Sequence, residues 1–325
     1  MDRNLIERLA KTEEIHNIGI KHNGSEQVFN FLEETILITE ENRIKGITRS
    51  ATNNICLIGE TGAGKTRLSS RILKRFPIQE VSRDNFKITK IPTLYASNTG
   101  RSLNGLANAM LSQLNDPGIK LRPTLIELTA KLSQQLKSAE TNLIMLDEFH
   151  EISTIGNAVV VMNWLKSLTN ATLTPVMIMG TPALKSLIES NEEVKRRFRV
   201  IELEKLEFST LDSNCPFNSF SAGLAEKFKQ IMSLKSFPAF DNMADLIRLN
   251  LATNGYPGNI SELYKSAAKL AIREGVNEVK LHHFRDVYNY DKCTNLQIKT
   301  LNPFTVEEDK LLTVFHNNNK KVKRS

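Results

Sequence analysis

The sequence predicts an α/β fold: a parallel sheet between helices, followed by a small domain of helices alone. Three observations lead there. Short apolar runs alternate with helical patterns through residues 51–214, the rhythm of strand–helix units that build a parallel sheet covered on both faces. One of those runs opens through a glycine-rich loop into a helix. Beyond about residue 210 the apolar runs stop and only helical patterns remain.

The elements follow in order. Residues 1–50 read as a helical N-terminal extension, in which "EQVFNFLEETILITEENR" puts Val28, Phe29, Leu32, Ile36 and Leu37 on one apolar face. "ICLI", residues 55–58, is a short buried strand. The stretch "RLSSRILKRF" after the glycine loop has helical spacing, with Leu68, Ile72 and Leu73 on one side. "IPTLYA", 91–96, is a second strand. Residues 102–114 and 123–139 are helices joined by the turn "NDPG". Leu143 to Leu146 form a strand that ends in Asp147-Glu148. The helix "NAVVVMNWLKSLTN" comes next, and "TPVMIMGTPAL" is a strand running into a loop. "CPFNSF", 215–220, reads as a linker. Helical patterns then occupy about 220–233, 241–253, 258–274 and 280–289. The resulting division is an extension (1–50), an α/β core (51–214), a helical domain (215–290) and a C-terminal tail (291–325).

Composition narrows the class. The chain has 325 residues, 40% hydrophobic and 24% charged, as in an ordinary globular protein rather than a disordered one. No apolar run approaches the length of a membrane span, and "MDRNLIERLAKTEEIH" lacks the apolar centre of a secretory signal. Cys56, Cys215 and Cys293 lie far apart and form neither a disulfide framework nor a metal spacing. These features point to the cytoplasm, with no membrane partner. The net charge of +7 is compatible with nucleic acid and equally with a merely basic soluble protein.

The chemistry lies in two places. Gly59-Glu60-Thr61-Gly62-Ala63-Gly64-Lys65-Thr66 matches G-x-x-x-x-G-K-[ST] between a strand and a helix, the context that a phosphate-binding P-loop requires. Glycines let backbone N–H groups curl round a phosphate, and the helix N-terminus adds donors and partial positive charge. Lys65 reaches the β- and γ-phosphates of ATP, and Thr66 places its hydroxyl on Mg²⁺. A metal-assisted site also needs a carboxylate. Asp147 at the end of its strand is the candidate for Mg²⁺, and Glu148 is the candidate to orient and polarise the attacking water. His150 has no partner at ligand spacing and reads as a solvated or helix-capping histidine, with a sensing role near nucleotide as a second reading.

This order of motifs resembles an AAA+ ATPase: a P-loop, an acidic strand, a third strand with a polar end, and a helical lid. The resemblance implies a polar first sensor at Thr181 in "MIMGTPAL". It also places the family's arginine finger at the "RRF" before a strand, on Arg197 with Arg196 as substitute, where it would act on a neighbouring subunit's γ-phosphate. A basic helix end matched to its dipole is the plainer reading of those arginines. In the lid turn "NGYPGNISELYKSAAKLAIREG", Gly258 stands where many AAA+ proteins carry a second-sensor arginine. That departure implies slow hydrolysis or a stable ATP-bound assembly.

A narrower similarity rests on "IKHNGSEQVFNFLE", "LDEFHEI", "VMIMGTPAL", "RRF" and "GYPGNISELYKSAAKLAIREG", over roughly residues 15–290. Together these resemble the TniB/TnsC family, AAA+ regulators of transposition. That resemblance implies ATP-bound rings or filaments around double-stranded DNA. It also implies recruitment of a transposase, with a TniQ-type or CRISPR-guided targeting factor choosing the site. Because many target sequences must be tolerated, phosphate contacts should dominate. By analogy with the family's ring-facing loops the candidates are Asn98, Thr99 and Arg101, and Lys120 and Arg122. Arg101 comes first, and each of the five also reads as a solvated loop residue.

Other readings stay open. One is an initiator- or clamp-loader-like or secretion AAA+ ATPase. Another is a nucleotide-gated scaffold with negligible turnover. The tail, "NPFTVEEDKLLTVFHNNNKKVKRS", combines an apolar-acidic helix pattern (Val306 to Phe315) with a basic end, and reads either as a docking segment or as a loose terminus.

Overall fold

The computed structural model describes residues 15, 18–20, 22–47, 53–83, 86–97, 102–115, 123–151, 158–189, 192–210, 212, 214–238, 240, 242–290 and 301–322. The chain divides into two compact units. One is Asn23–Leu203; the other joins Glu204–Ser325 with the segment up to His22.

The first unit carries the sheet. Its elements are α1 (Asn23–Ile44), β1 (Asn54–Ile58), α2 (Lys65–Arg75), β2 (Gln79–Arg83), β3 (Phe86–Lys90) and β4 (Thr93–Ser97), followed by α3 (Leu103–Gln113), α4 (Leu125–Ser138) and β5 (Leu143–Asp147). Then come α5 (Ala158–Thr172), β6 (Val176–Gly180), α6 (Ala183–Glu189), α7 (Glu192–Lys195) and β7 (Phe198–Glu202). Five strands form one parallel sheet in the order β4-β5-β6-β1-β7. β1, β5 and β6 are buried along their whole length, which their unbroken apolar runs require in a sheet covered on both faces. The covering helices are started by local signals. Thr124 and Glu127 make a reciprocal capping box on α4, and the Ser102 side chain accepts from Gly105 N on α3.

Two features of this unit differ from the sequence expectation. β2 and β3 form an antiparallel hairpin that "QEVSR" and "FKITK" did not signal, since each mixes charged residues into a short run. On α1 the buried residues are Val28, Leu32, Thr35 and Ile36, whereas Leu37 is half exposed. Phe29 instead lies under the Arg71 guanidinium, 4.3 Å from the ring centroid. Arg71 also pairs with Glu26 at 2.6 Å, and Arg75 with Glu33 at 2.7 Å, so α1 is fastened to α2, the helix that leaves the glycine loop.

The second unit is helical: α8 (Pro216–Ile231), α9 (Met243–Thr253), α10 (Pro257–Glu274), α11 (Leu281–Tyr290), a 3₁₀ turn (Pro303–Thr305) and α12 (Glu308–Val322). Residues 216–220 are the start of a helix rather than part of the expected linker at 215–220. Cys215 is the N-cap, Pro216 occupies the first turn where its missing N–H costs nothing, and Phe217 and Phe220 are buried. The core is aromatic. Phe237 stacks on Tyr264 at 5.2 Å, and Phe284 meets Phe240 edge-on at 4.9 Å. Ile15 and Ile18 join this core.

The C-terminal segment is built into the same unit, so residues 302–315 are not a loose terminus. Asn302 caps the 3₁₀ turn, Phe304 enters the aromatic core, and Val306, Leu311 and Phe315 pack with Ile247 and Leu251 of α9. Buried Arg248 donates to Val306 O at 2.8 Å. No helix among the described residues is long and apolar enough to cross a membrane.

Candidate nucleotide site

Chain direction gathers the functional side chains at one edge of the sheet. All five strands run the same way, so the residues after β1, β5 and β6 emerge together at their C-terminal ends, where ligand sites of open α/β sheets lie.

The loop after β1 has the shape its glycines allow. Gly62 and Gly64 take φ of 86° and 100°, the left-handed region that disfavours a side chain. A Cβ on Gly59 would lie 2.8 Å from the Ala63 Cβ, so this position too admits only glycine. The turn is closed by Ala63 N donating to Glu60 O at 3.0 Å. Gly64 is the N-cap of α2 and offers no side-chain cap, so the first-turn N–H groups of α2 remain for a ligand. Glu60 and Thr61 are exposed on the same loop.

The Lys65 ammonium donates to Gly59 O and, at 3.2 Å, to Glu60 O, which folds it back over the loop. Burial lowers its pKa below the usual lysine value of 10.5, and the nearby Asp147, Glu148 and Glu60 carboxylates oppose that shift.

Asp147 is buried and fully engaged. Its Oδ2 accepts from Thr66 Oγ1 at 3.1 Å and from Tyr95 Oη at 2.8 Å, while its Oδ1 accepts from Glu148 N at 2.9 Å. Thr66 and Asp147, far apart in sequence, therefore present two oxygens at one point, the donor set a hard divalent cation takes. Tyr95 is the functional neighbour that sequence reasoning missed. It sits on β4 beside β5, where Tyr95 pairs with Met145 and Ser97 with Asp147. Burial, then the bond to Asp147, pushes its phenol well above the ordinary tyrosine range, so it remains a donor.

Glu148 has φ of 54°, a left-handed conformation unusual for a residue with a side chain. It is held by the Glu148 N–H to Asp147, by Phe149 N donating to Met179 O at 2.9 Å, and by Glu151 N donating to Glu148 O at 3.1 Å. The turn leaves its carboxylate half exposed, 3.6 Å from His150 Nε2. His150 is therefore no solvated bystander. It packs over Gly180, where an added Cβ would come within 3.2 Å of its Nδ1. Thr181 follows Gly180 at the same sheet edge, and Gly180 O accepts from Gly59 N at 3.1 Å, so the first-sensor candidate adjoins the phosphate loop.

Arg197 lies elsewhere. It immediately precedes β7, and Phe198 pairs with Asn54 at the start of β1. Five strand residues at about 3.3 Å each separate that end from the phosphate loop, roughly 16 Å along β1. Arg197 is thus at the opposite edge of the sheet from its own chain's site. Asn98, Thr99, Arg101, Lys120 and Arg122 lie outside the described residues.

The geometry defines a P-loop nucleotide site in an α/β domain, followed by a helical domain: the class is an AAA+ ATPase. The family model described as "Bacterial TniB protein" matches residues 21–208, more than half of the chain. The chain belongs to that family. Solved structures of similar fold include Cdc6p from Pyrobaculum aerophilum, with 12% identity, 84% of this chain and 68% of that chain covered, and a TM-score of 0.55. The Aeropyrum pernix ORC2 protein is also similar, with 13% identity, 82% and 68% covered, and a TM-score of 0.56. At such identities the likeness concerns the fold. No curated protein matches the sequence.

Proposed function

We propose that this ATPase is an ATP-dependent regulator of transposition. In this reading copies assemble head to tail on target double-stranded DNA, hydrolyse ATP slowly, and recruit the transposase, linking it to a TniQ-type or CRISPR-guided targeting factor. The observation that carries it is the split of the site. One chain holds the phosphate loop and both carboxylates at one sheet edge, while Arg197 stands at the other, away from its own phosphate loop, which supports action on a neighbour's nucleotide. Membership of the TniB family supplies the transposition context.

Residue by residue, Gly59 to Lys65 would hold the phosphates, and Thr66 with Asp147 would hold Mg²⁺, whose charge stabilises the phosphate oxygens. Glu148 would orient water, Thr181 would sense the γ-phosphate, and Arg197 would complete the neighbouring site. The nucleotide complexes named for the Aeropyrum pernix ORC2 structure accord with a nucleotide in this fold. For DNA the proposed contacts are Arg101 first, then Asn98, Thr99, Lys120 and Arg122.

Electron microscopy of the purified chain with duplex DNA, comparing a non-hydrolysable ATP analogue with ADP, tests the reading. Rings or filaments on DNA with the analogue alone are expected. Arg101→Ala should then weaken DNA binding and flatten its salt dependence. A chain that stays monomeric and leaves DNA bare with either nucleotide overturns the proposal.

A further inference from the structure

The corner between α10 and α11 gathers side chains that the nucleotide chemistry does not use. Glu274 is the last residue of α10, and His282 and His283 lie in the first turn of α11. One ligand atom from each lies within 4.8 Å of the other two, the only such grouping of three among the described residues. Glu274 Oε2 and His283 Nε2 are 3.0 Å apart, and the two imidazole centroids 4.0 Å apart. His283 is buried while Glu274 is exposed and His282 half-buried, so the group has an anchored wall and an open side. The corner itself is fixed. Gly275 ends α10 in a left-handed conformation, and Lys235 N and Val279 N donate to Asn277 O and Ser236 O at 2.8 and 3.0 Å.

We propose that Glu274, His282 and His283 bind a first-row divalent ion of the Zn²⁺ type, which pins α10 to α11. Two imidazoles and a carboxylate are the donors such an ion takes, at bond lengths of about 2.0–2.2 Å. Tetrahedral bonds of that length put ligand atoms about 3.3–3.6 Å apart. The Glu274–His283 pair therefore has to open by only a few tenths of an ångström. His283 also has the outer partner that a metal-bound imidazole uses. Its Nδ1 lies 2.8 Å from Lys280 N and 3.2 Å from Lys280 O. Without metal, Lys280 N–H caps Nδ1 and the Nε2–H donates to Glu274. With Nε2 on the ion, the ring proton resides on Nδ1, and the Lys280 N–H has to turn aside for Lys280 O to accept that proton. Asp286, four residues after His282, adds negative charge beside both imidazoles. Its own carboxyl is held below the usual range chiefly by the hydrogen bond from Arg285.

The test uses the full chain. Calorimetric titration with Zn²⁺ should show one saturable site that Glu274→Gln or His282→Ala weakens at least about tenfold. Zn²⁺ should raise the Tm of the unaltered chain and leave that of either variant unmoved. Both substitutions are at solvent-reached positions, and unchanged Mg²⁺-dependent ATPase activity would show that the variants are folded. Co²⁺ distinguishes this site from the Thr66–Asp147 oxygens: the lid site gives intense visible bands that vanish in the variants, whereas an all-oxygen six-coordinate site gives weak ones that persist. Identical Zn²⁺ titrations for all three proteins, or no saturable binding, overturn the proposal.

Discussion

Mixing two inactive variants reads out the division of labour between the sheet's edges. Glu148→Gln removes the proposed water-orienting carboxylate and keeps the proposed arginine finger; Arg197→Ala does the reverse. Each alone should lose turnover, and arginine fingers in related chemistry account for about 10³–10⁵-fold. Roughly 16 Å along β1 separates the start of the strand, beside Arg197, from its own chain's phosphate loop. In a head-to-tail assembly each site then pairs one copy's Glu148 with the next copy's Arg197. An equimolar random mixture restores an intact site whenever an Arg197→Ala chain is followed by a Glu148→Gln chain. That combination has a chance of one half times one half, so phosphate release should recover to about a quarter of the unaltered rate. The dependence on mixing ratio should be a parabola peaking at equal parts. If the mixture stays as inert as its components at every ratio while sizing shows co-assembly, the finger does not act across subunits and the reasoning fails.

Two further outcomes follow from packing and charge. Phe304→Ala, which empties a place beside Phe284 and Tyr288, should lower the stability of the helical unit by about 3–5 kcal/mol in urea unfolding, against about 0.5 kcal/mol or less for half-exposed Leu312→Ala; equal midpoints would mean that the C-terminal segment is not packed there. Lys65 has a folded pKa below 10.5, so it loses its proton in the folded chain before the unfolded one. Its contribution to stability therefore rises with pH between those two values, while affinity for an ATP analogue, which uses the ammonium, falls over the same window. Lys65→Arg should flatten that alkaline fall, and parallel curves for the two proteins would remove the assignment.

What the sequence made legible was local. The phosphate loop is eight contiguous residues whose types are dictated by backbone approach, and the structure gives Gly62 and Gly64 the conformations that glycine alone takes freely. Asp147 and Glu148 were legible because an apolar strand ends on them. Tyr95 was not: "IPTLYA" reads as core, and nothing in its spacing says that β4 lies beside β5 and brings the phenol to Asp147. Strand order is a long-range property, and only the paired register reveals the contact. The same holds for Arg197, which the resemblance of "RRF" marked but whose remoteness from its own loop follows from Phe198 pairing with Asn54. Pro216 misled in the opposite sense. "CPFNSF" reads as a linker, yet proline is at home in a helix's first turn, and the buried Phe217 and Phe220 are the better signal. The β2–β3 hairpin left no apolar run to find.

The strand order also bears on how the site is held. β6 lies between β1 and β5, and its last two carbonyls are shared out: Met179 O accepts from Phe149 N and Gly180 O from Gly59 N. One strand end thus sets the spacing between the phosphate loop and the acidic turn. Glu148 keeps its left-handed backbone, which costs about 1–2 kcal/mol for a residue with a side chain, because these neighbours fix both flanks of the turn. The tolerance is small. A Cβ on Gly180 would stand 3.1 Å from Leu184 Cδ2 and 3.2 Å from His150 Nδ1, and His150 is the side chain beside the Glu148 carboxylate. A shift of β6 by a few tenths of an ångström would therefore be passed through the hydrogen bonds at Met179 O and Gly180 O to the Glu148 turn and the phosphate loop. Thr181, the next residue along, is the proposed sensor, so a γ-phosphate read there would act on the same strand end that holds the phosphate loop and the acidic turn.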